Sequence, residues 1–101
     1  MQPFTRQVIT IIQSIPPGKV MTYGQIAGCA GNPKAARQVA RILHSMSRAH
    51  QLPWHRVINA QGKIAIQNSE IYEEQRLALN DEHVDVTSSG TVNLAIYQHH
   101  P

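Results

Sequence analysis

The stretch Thr22-Tyr23-Gly24-Gln25-Ile26-Ala27-Gly28-Cys29-Ala30-Gly31-Asn32-Pro33-Lys34-Ala35-Ala36-Arg37-Gln38-Val39 carries two helix starts and one stop. Thr22 followed at the third position by Gln25 is a capping-box signature, in which each side chain satisfies a backbone N–H that a helix start leaves unpaired. A helix is expected to open there and run to about Cys29. Gly31 stops it. Asn32 is a good N-cap, and Pro33 suits the first helical position, so a second helix is expected from Pro33 to about Met46 or Ser47. Two helices joined by Ala30-Gly31-Asn32 predict a helix-turn-helix.

Upstream, Phe4, Val8, Ile11, Ile12 and Ile15 fall at helical spacing, with Thr5 available to cap and Pro16-Pro17-Gly18 ending the segment. Lys19-Val20-Met21 is short and β-prone. Downstream, Pro53-Trp54-His55-Arg56-Val57-Ile58, the turn-like Asn59-Ala60-Gln61-Gly62 and Lys63-Ile64-Ala65-Ile66 predict a β-hairpin. A hairpin directly after a helix-turn-helix implies a winged helix, and Ser69 to about Glu82 supplies another helix. In the tail, Val92, Leu94 and Ile96 alternate with Thr91, Asn93 and Ala95, which fits either an edge strand or an extended segment packed on the body. The expected fold class is a mainly α winged helix-turn-helix with a small β-hairpin wing.

The 101 residues suit one domain over residues 1–101 with a small core. Nine Lys plus Arg against six Asp plus Glu give a net charge of +3, compatible with an anionic partner but common in ordinary proteins. The single cysteine, Cys29, excludes an intramolecular disulfide and points to a reducing compartment. The six histidines form no zinc pattern, and no metal or cofactor is expected. Met1 to Ser14 is broken by Thr5-Arg6-Gln7 and reads as neither signal peptide nor membrane span, so the expected location is the cytoplasm, in association with the nucleoid.

The positions of the basic residues say more than their number. At about 100° per residue, Lys34, Arg37, Arg41, His44 and Arg48 project within one sector, while Ala36, Val39, Ala40 and Leu43 project roughly opposite. Charged stripes on surface helices are usually just solvated. Here all the charges share one sign, whereas a helix stabilised by its own ion pairs would mix them, which favours DNA contact. The small Ala35 and Ala36 would let the backbone approach a groove.

Pro53-Trp54-His55-Arg56-Val57 looks like the active-site motif Pro-Cys-His-Arg-Val of the O6-alkylguanine-DNA alkyltransferases, with one residue changed. Also similar to that family's DNA-binding domain are Phe4-Thr5-Arg6-Gln7-Val8, Ile15-Pro16-Pro17-Gly18-Lys19-Val20, Thr22-Tyr23-Gly24, Gly31 to Val39, and Gln75-Arg76-Leu77, so the match covers most of Phe4 to Val84. Trp in place of the reactive Cys, with no additional N-terminal domain, marks the alkyltransferase-like proteins. Direct dealkylation needs a thiolate to attack the alkyl carbon, and indole cannot do this. Trp54 alone would read as a core residue; the flanking His-Arg-Val favours a pocket-lining contact.

The resemblance implies a non-enzymatic protein that binds O6-alkylguanine in double-stranded DNA through the minor groove, flips the nucleotide and flags it for nucleotide-excision repair. Repair proteins would be its partners, and a monomer is expected. It further implies a lesion pocket of Tyr23 and Trp54, with the Val57 backbone recognising guanine and Gln67 in a wall that departs from the family's glycine-rich stretch. Arg37 would be the finger that fills the vacated stack, with Thr5, Thr22, Asn32, Lys34, Ala35, Ala36 and Arg41 contacting DNA. His55 and Glu82 match positions that assist cysteine activation; without a thiol their role is structural, and no residue is assigned catalysis. The alternative is an ordinary winged-helix regulator reading a DNA sequence, which the basic stripe alone would equally support.

Overall fold

In the computed structural model, which describes residues 1–101, helix α1 spans Pro3–Gln13. It begins ahead of the expected Thr5 cap: Pro3 fits the first turn, and the N-cap is Gln2, which makes no side-chain cap bond. Of the expected stripe Val8, Ile12 and Ile15 are buried and Phe4 and Ile11 half-buried, while Ile9, outside the stripe, is buried as well. Strand β1 (Met21–Thr22) leads into α2 (Tyr23–Cys29), where the Thr22/Gln25 capping box is formed in full.

Helix α3 (Ala36–Met46) starts three residues later than Pro33. Asn32 caps a turn and not a helix: its Oδ1 accepts from Lys34 N–H at 3.2 Å, and its carbonyl accepts from Ala35 N–H at 3.1 Å. α1, α2 and α3 enclose one core cluster that includes Val8, Ile12, Ile26, Val39 and Leu43. Each such aliphatic side chain, fully buried, contributes roughly 1.5–3 kcal/mol.

The β element differs from a hairpin. Trp54–Arg56 forms a single 3-10 turn, and β2 (Val57–Ile58) pairs in parallel with β1, Met21 opposite Val57 and Thr22 opposite Ile58. All four strand residues are buried, as parallel pairing covered on both faces requires. The turn at Asn59–Gly62 is present, closed by Gly62 N–H to Asn59 O at 3.0 Å, but beyond it Lys63 bridges antiparallel to Thr91. Ile58 instead joins Val20, Ile64, Leu79, Val84 and Val92 in a second core cluster.

Helix α4 (Ser69–Asp81) runs close to its expected bounds and is capped by Asn68, whose side chain accepts from Glu70 and Ile71 N–H. The tail is neither an edge strand nor simply extended. Val92 bridges antiparallel to Val86, and Asn93 then caps a short helix α5 (Leu94–Tyr97), so Leu94 and Ile96 lie on a helical turn. Val20 N–H donates to Tyr97 O at 2.9 Å, His99 N–H to Val20 O at 2.8 Å, and Gln25 Nε2 to His99 O at 2.6 Å.

Gly62 holds this junction tightly. Its φ is +79°, and a Cβ there would lie 2.7 Å from Val92 O. Gly62→Ala is expected to cost about 2–3 kcal/mol, since the backbone must shift and adopt a disfavoured conformation. Urea unfolding measures this; a loss below about 0.5 kcal/mol would show that the Gly62–Val92 approach is easily relieved.

Candidate nucleic-acid interface

The capping box places Tyr23 at the start of α2 by fixing the residue before it. Gln25 N–H donates to Thr22 Oγ1 at 3.1 Å, and Thr22 N–H to Gln25 Oε1 at 3.3 Å. The Thr22 side chain is thus engaged within the fold, and the residue is buried. Burial pushes the Tyr23 phenol above its usual pKa, so its hydroxyl stays protonated and able to donate at neutral pH.

Arg37, Arg41 and His44 are exposed along α3, Arg48 just beyond its end, and Lys34 in the turn before it. The ion pairs of the protein join Arg56 to Glu82 and Arg76 to Glu73, and His55 is hydrogen-bonded to the same Glu82 carboxylate; none involves this basic row. The row therefore presents unpaired positive charge to solvent. Beneath it Val39, Ile42 and Leu43 are buried. Two small residues depart from the expected pattern: Ala40 is exposed, and Ala35 is turned into the core.

Ala40 faces a cleft of about 950 Å3 that opens beside the basic row. Its walls are Tyr23 from α2; Ala40, Leu43 and His44 from α3; Ser47, Arg48, Gln51 and Leu52 from the following loop; Trp54; Ile66; and Ile71 and Glu74 from α4. Tyr23 and Trp54, far apart in sequence, are thus brought together. The Val57 side chain is buried in the core, and Gln67 is exposed outside the lining, where its neighbour Ile66 takes the wall position. Thr5 is half-buried on α1, Asn32 is exposed and Ala36 is half-buried; none of the three lines the cleft. Cys29, the sole thiol, is exposed and also lies outside the lining.

The α4 wall was not foreseen from sequence. No sequence signal marked it: Ile71 is 40% exposed on α4, and a single apolar residue at the surface of a helix is ordinary.

Trp54 stands on a turn fixed from below by Glu82. Arg56 donates to this carboxylate through Nε at 2.9 Å and Nη2 at 2.6 Å, and through Nη1 to Ile15 O at 2.8 Å. His55 Nε2 lies 2.8 Å from Glu82 Oε2, and Gly18 N–H donates to Oε1 at 3.1 Å. Burial pushes the Glu82 carboxyl up, but the hydrogen bonds from Arg56, His55 and Gly18 outweigh it and bring the pKa to about 2. The His55 and Trp54 rings meet edge to face, with centroids 6.4 Å apart. The buried Gln75 of α4 adds two bonds to the same segment, its Nε2 donating to the carbonyls of His55 and Val57, each at 3.1 Å.

A family model described as the 6-O-methylguanine DNA methyltransferase DNA-binding domain matches residues 3–84 of this chain. The chain belongs to this family. Among relatives, a DNA base-flipping protein of Vibrio parahaemolyticus is 40% identical over 101 residues, covering all of both chains. Alkyltransferase-like protein 1 of Schizosaccharomyces pombe is 38% identical over 97 residues, 93% of this chain and 90% of that one. The solved structure of S. pombe Atl1 in complex with damaged DNA containing O6-carboxymethylguanine superposes with a TM-score of 0.87 at 38% identity, covering 100% of this chain and 98% of that one. The alkyltransferase-like architecture read from the motifs is therefore the fold of this family member. No helix is long and apolar enough to cross a membrane.

Proposed function

We propose that this chain binds duplex DNA containing an O6-alkylated guanine, turns the damaged nucleotide into the cleft beside Trp54, and stays bound as a mark for nucleotide-excision repair without removing the alkyl group. The observation that carries this reading is the juxtaposition of the Tyr23–Trp54 cleft with an unpaired basic row on the adjoining helix. A base moved out of the stack loses a few kcal/mol of stacking and pairing, and an aromatic-lined pocket next to a phosphate-binding surface recovers it. The names of the relatives and the damaged-DNA complex of S. pombe Atl1 support the same reading.

Arg37 is assigned as the finger that enters the duplex from the minor groove where the nucleotide has left, because a planar guanidinium can stack and hydrogen-bond at once. Lys34 and Arg41 contact phosphates, with Asn32, Ala36 and the backbone at Ala35 close to the groove. Thr5 approaches the backbone of the DNA from the first turn of α1, while Thr22, its side chain engaged in capping α2, acts through the position it fixes for Tyr23. Trp54 supplies contact area but no nucleophile, so the protein is a sensor and not a transferase. It acts as a monomer, with repair proteins as its partners.

The deciding experiment compares an O6-alkylguanine duplex with its undamaged twin at fixed salt. A lesion sensor prefers the modified duplex; equal affinities would identify a sequence-reading regulator. Trp54→Ala should weaken lesion binding by about 1–3 kcal/mol, roughly tenfold to a hundredfold, with a smaller effect on undamaged DNA. Equal weakening on both would assign the indole to folding. Trp54→Cys should give little or no transfer, because the cleft has adapted to an indole; rapid appearance of alkylated protein in mass spectra would contradict this.

A further inference from the structure

Two polar residues are buried in this protein, Thr22 and Gln75. Thr22 caps α2. Gln75, 1% exposed, spends both amide hydrogens on the carbonyls of His55 and Val57, while its Oε1 is buried without a partner. An orphaned buried acceptor is unfavourable, and an apolar residue of the same shape would avoid it. Turning the amide over would aim its oxygen at two carbonyl oxygens, so the amide's orientation is dictated by the segment it holds.

That segment is the 3-10 turn bearing Trp54 and its junction with β2. The Glu82 network holds the side chains of His55 and Arg56. Gln75 holds the main chain, and it is the only side chain that donates to the backbone of residues 54–57. It also belongs to α4, the helix whose Ile71 and Glu74 line the same cleft as Trp54.

We propose that Gln75 is the positioning residue for Trp54: its two N–H bonds lock the Trp54 turn onto α4 and so fix the separation between the indole and the Ile71–Glu74 wall. The inference rests on the reading that this cleft receives the damaged base. A clamp on the main chain sets the cleft width without occupying the cleft, which side-chain contacts to Trp54 itself would do.

The full chain carrying Gln75→Met tests this, since methionine keeps the length, removes both donors and removes the orphaned oxygen. Trp54 is the single tryptophan, so acrylamide quenching of intrinsic fluorescence reports its exposure alone. Well below the melting temperature, quenching should rise about twofold and lesion preference fall about tenfold, with affinity for undamaged duplex held within about twofold. Gln75→Glu, which keeps the shape but places an acceptor where the donors were, should act in the same direction and serves where the methionine variant folds poorly. Unchanged quenching with lesion preference retained would overturn the proposal, as would an equal loss on both duplexes accompanied by a lower melting temperature. If the wild-type protein itself showed no lesion preference, the proposed function would fall, and the quenching comparison would still decide the role of Gln75.

Discussion

Replacing Glu82 with alanine is expected to destabilise the protein by about 3–4 kcal/mol, a large share of the roughly 5–15 kcal/mol that holds a small domain folded. The carboxylate is the shared acceptor for Arg56, His55 and the Gly18 N–H. Removing it leaves a guanidinium that is only 15% exposed with a single remaining bond, to Ile15 O. A stranded charge costs more than the pair contributed. Urea unfolding provides the measurement, and a loss under about 1 kcal/mol would show that water reaches Arg56 freely.

The same carboxylate sets an acid limit with a definite sign. Its pKa falls from 4.5 to about 2 on folding, so the unfolded chain binds the proton more readily in the interval between them. The stabilisation is fully present above about pH 5 and is lost as pH falls toward 2, amounting to at most about 3 kcal/mol after allowance for partial exposure. The stability gap between wild type and Glu82→Gln should hold steady from pH 7 to 5 and narrow below; a gap that widened in acid would contradict the assignment.

The largest effect on recognition is expected from Arg37→Ala, which should abolish most lesion preference. Lys34 and Arg41 serve as the comparison, because residues that only meet phosphates act through counterion release. Each of those alanine variants should lower the salt slope by about one unit and weaken all duplexes alike. Arg37 differs if its guanidinium replaces the displaced nucleotide: the flipped state then loses its stabilisation, and the fluorescence change of a base analogue beside the lesion shrinks. Binding of the three variants to damaged and undamaged duplexes across a salt series separates these cases. If Arg37→Ala matched Lys34→Ala in slope and in preference, the finger assignment would fail and base flipping would lose its main support.

The sequence was most legible where local chemistry alone decides structure. The Thr22/Gln25 box and the extent of α4 rest on contacts within a few residues, and both are found; the amphipathic faces of α1 and α3 are found in outline, with Ile9 buried and Ile11 and Ala40 more exposed than the spacing predicts. The start of α3 was harder, because Asn32 can cap a turn as readily as a helix and Pro33 fits both. The hairpin reading of Pro53–Ile66 failed for a different reason. Val57 and Ile58 pair with Met21 and Thr22, and two-residue strands carry no alternation that would reveal a distant parallel partner. Of the cleft, Tyr23 and Trp54 were legible through motif resemblance, whereas Ile71 and Glu74 enter it through the packing of α4 against the Trp54 turn, and Ile66 from the segment that precedes α4. Tertiary placement of that kind leaves little trace in a local pattern.

The tail that meets Val20 and Gln25 has a bearing on how the protein is made. α2 and α3, which carry Tyr23 and the basic row, are synthesised in the first half of the chain, yet Gln25 is anchored by His99 and Gln98, and the Trp54 turn by Gln75 and Glu82. At about 5–20 residues per second, several seconds separate translation of the helix-turn-helix from translation of the residues that fix it. A nascent chain therefore presents its basic helix before Gln75, Glu82, Gln98 and His99 have been made, and the contacts that hold Gln25 and the Trp54 turn can form only after those residues emerge.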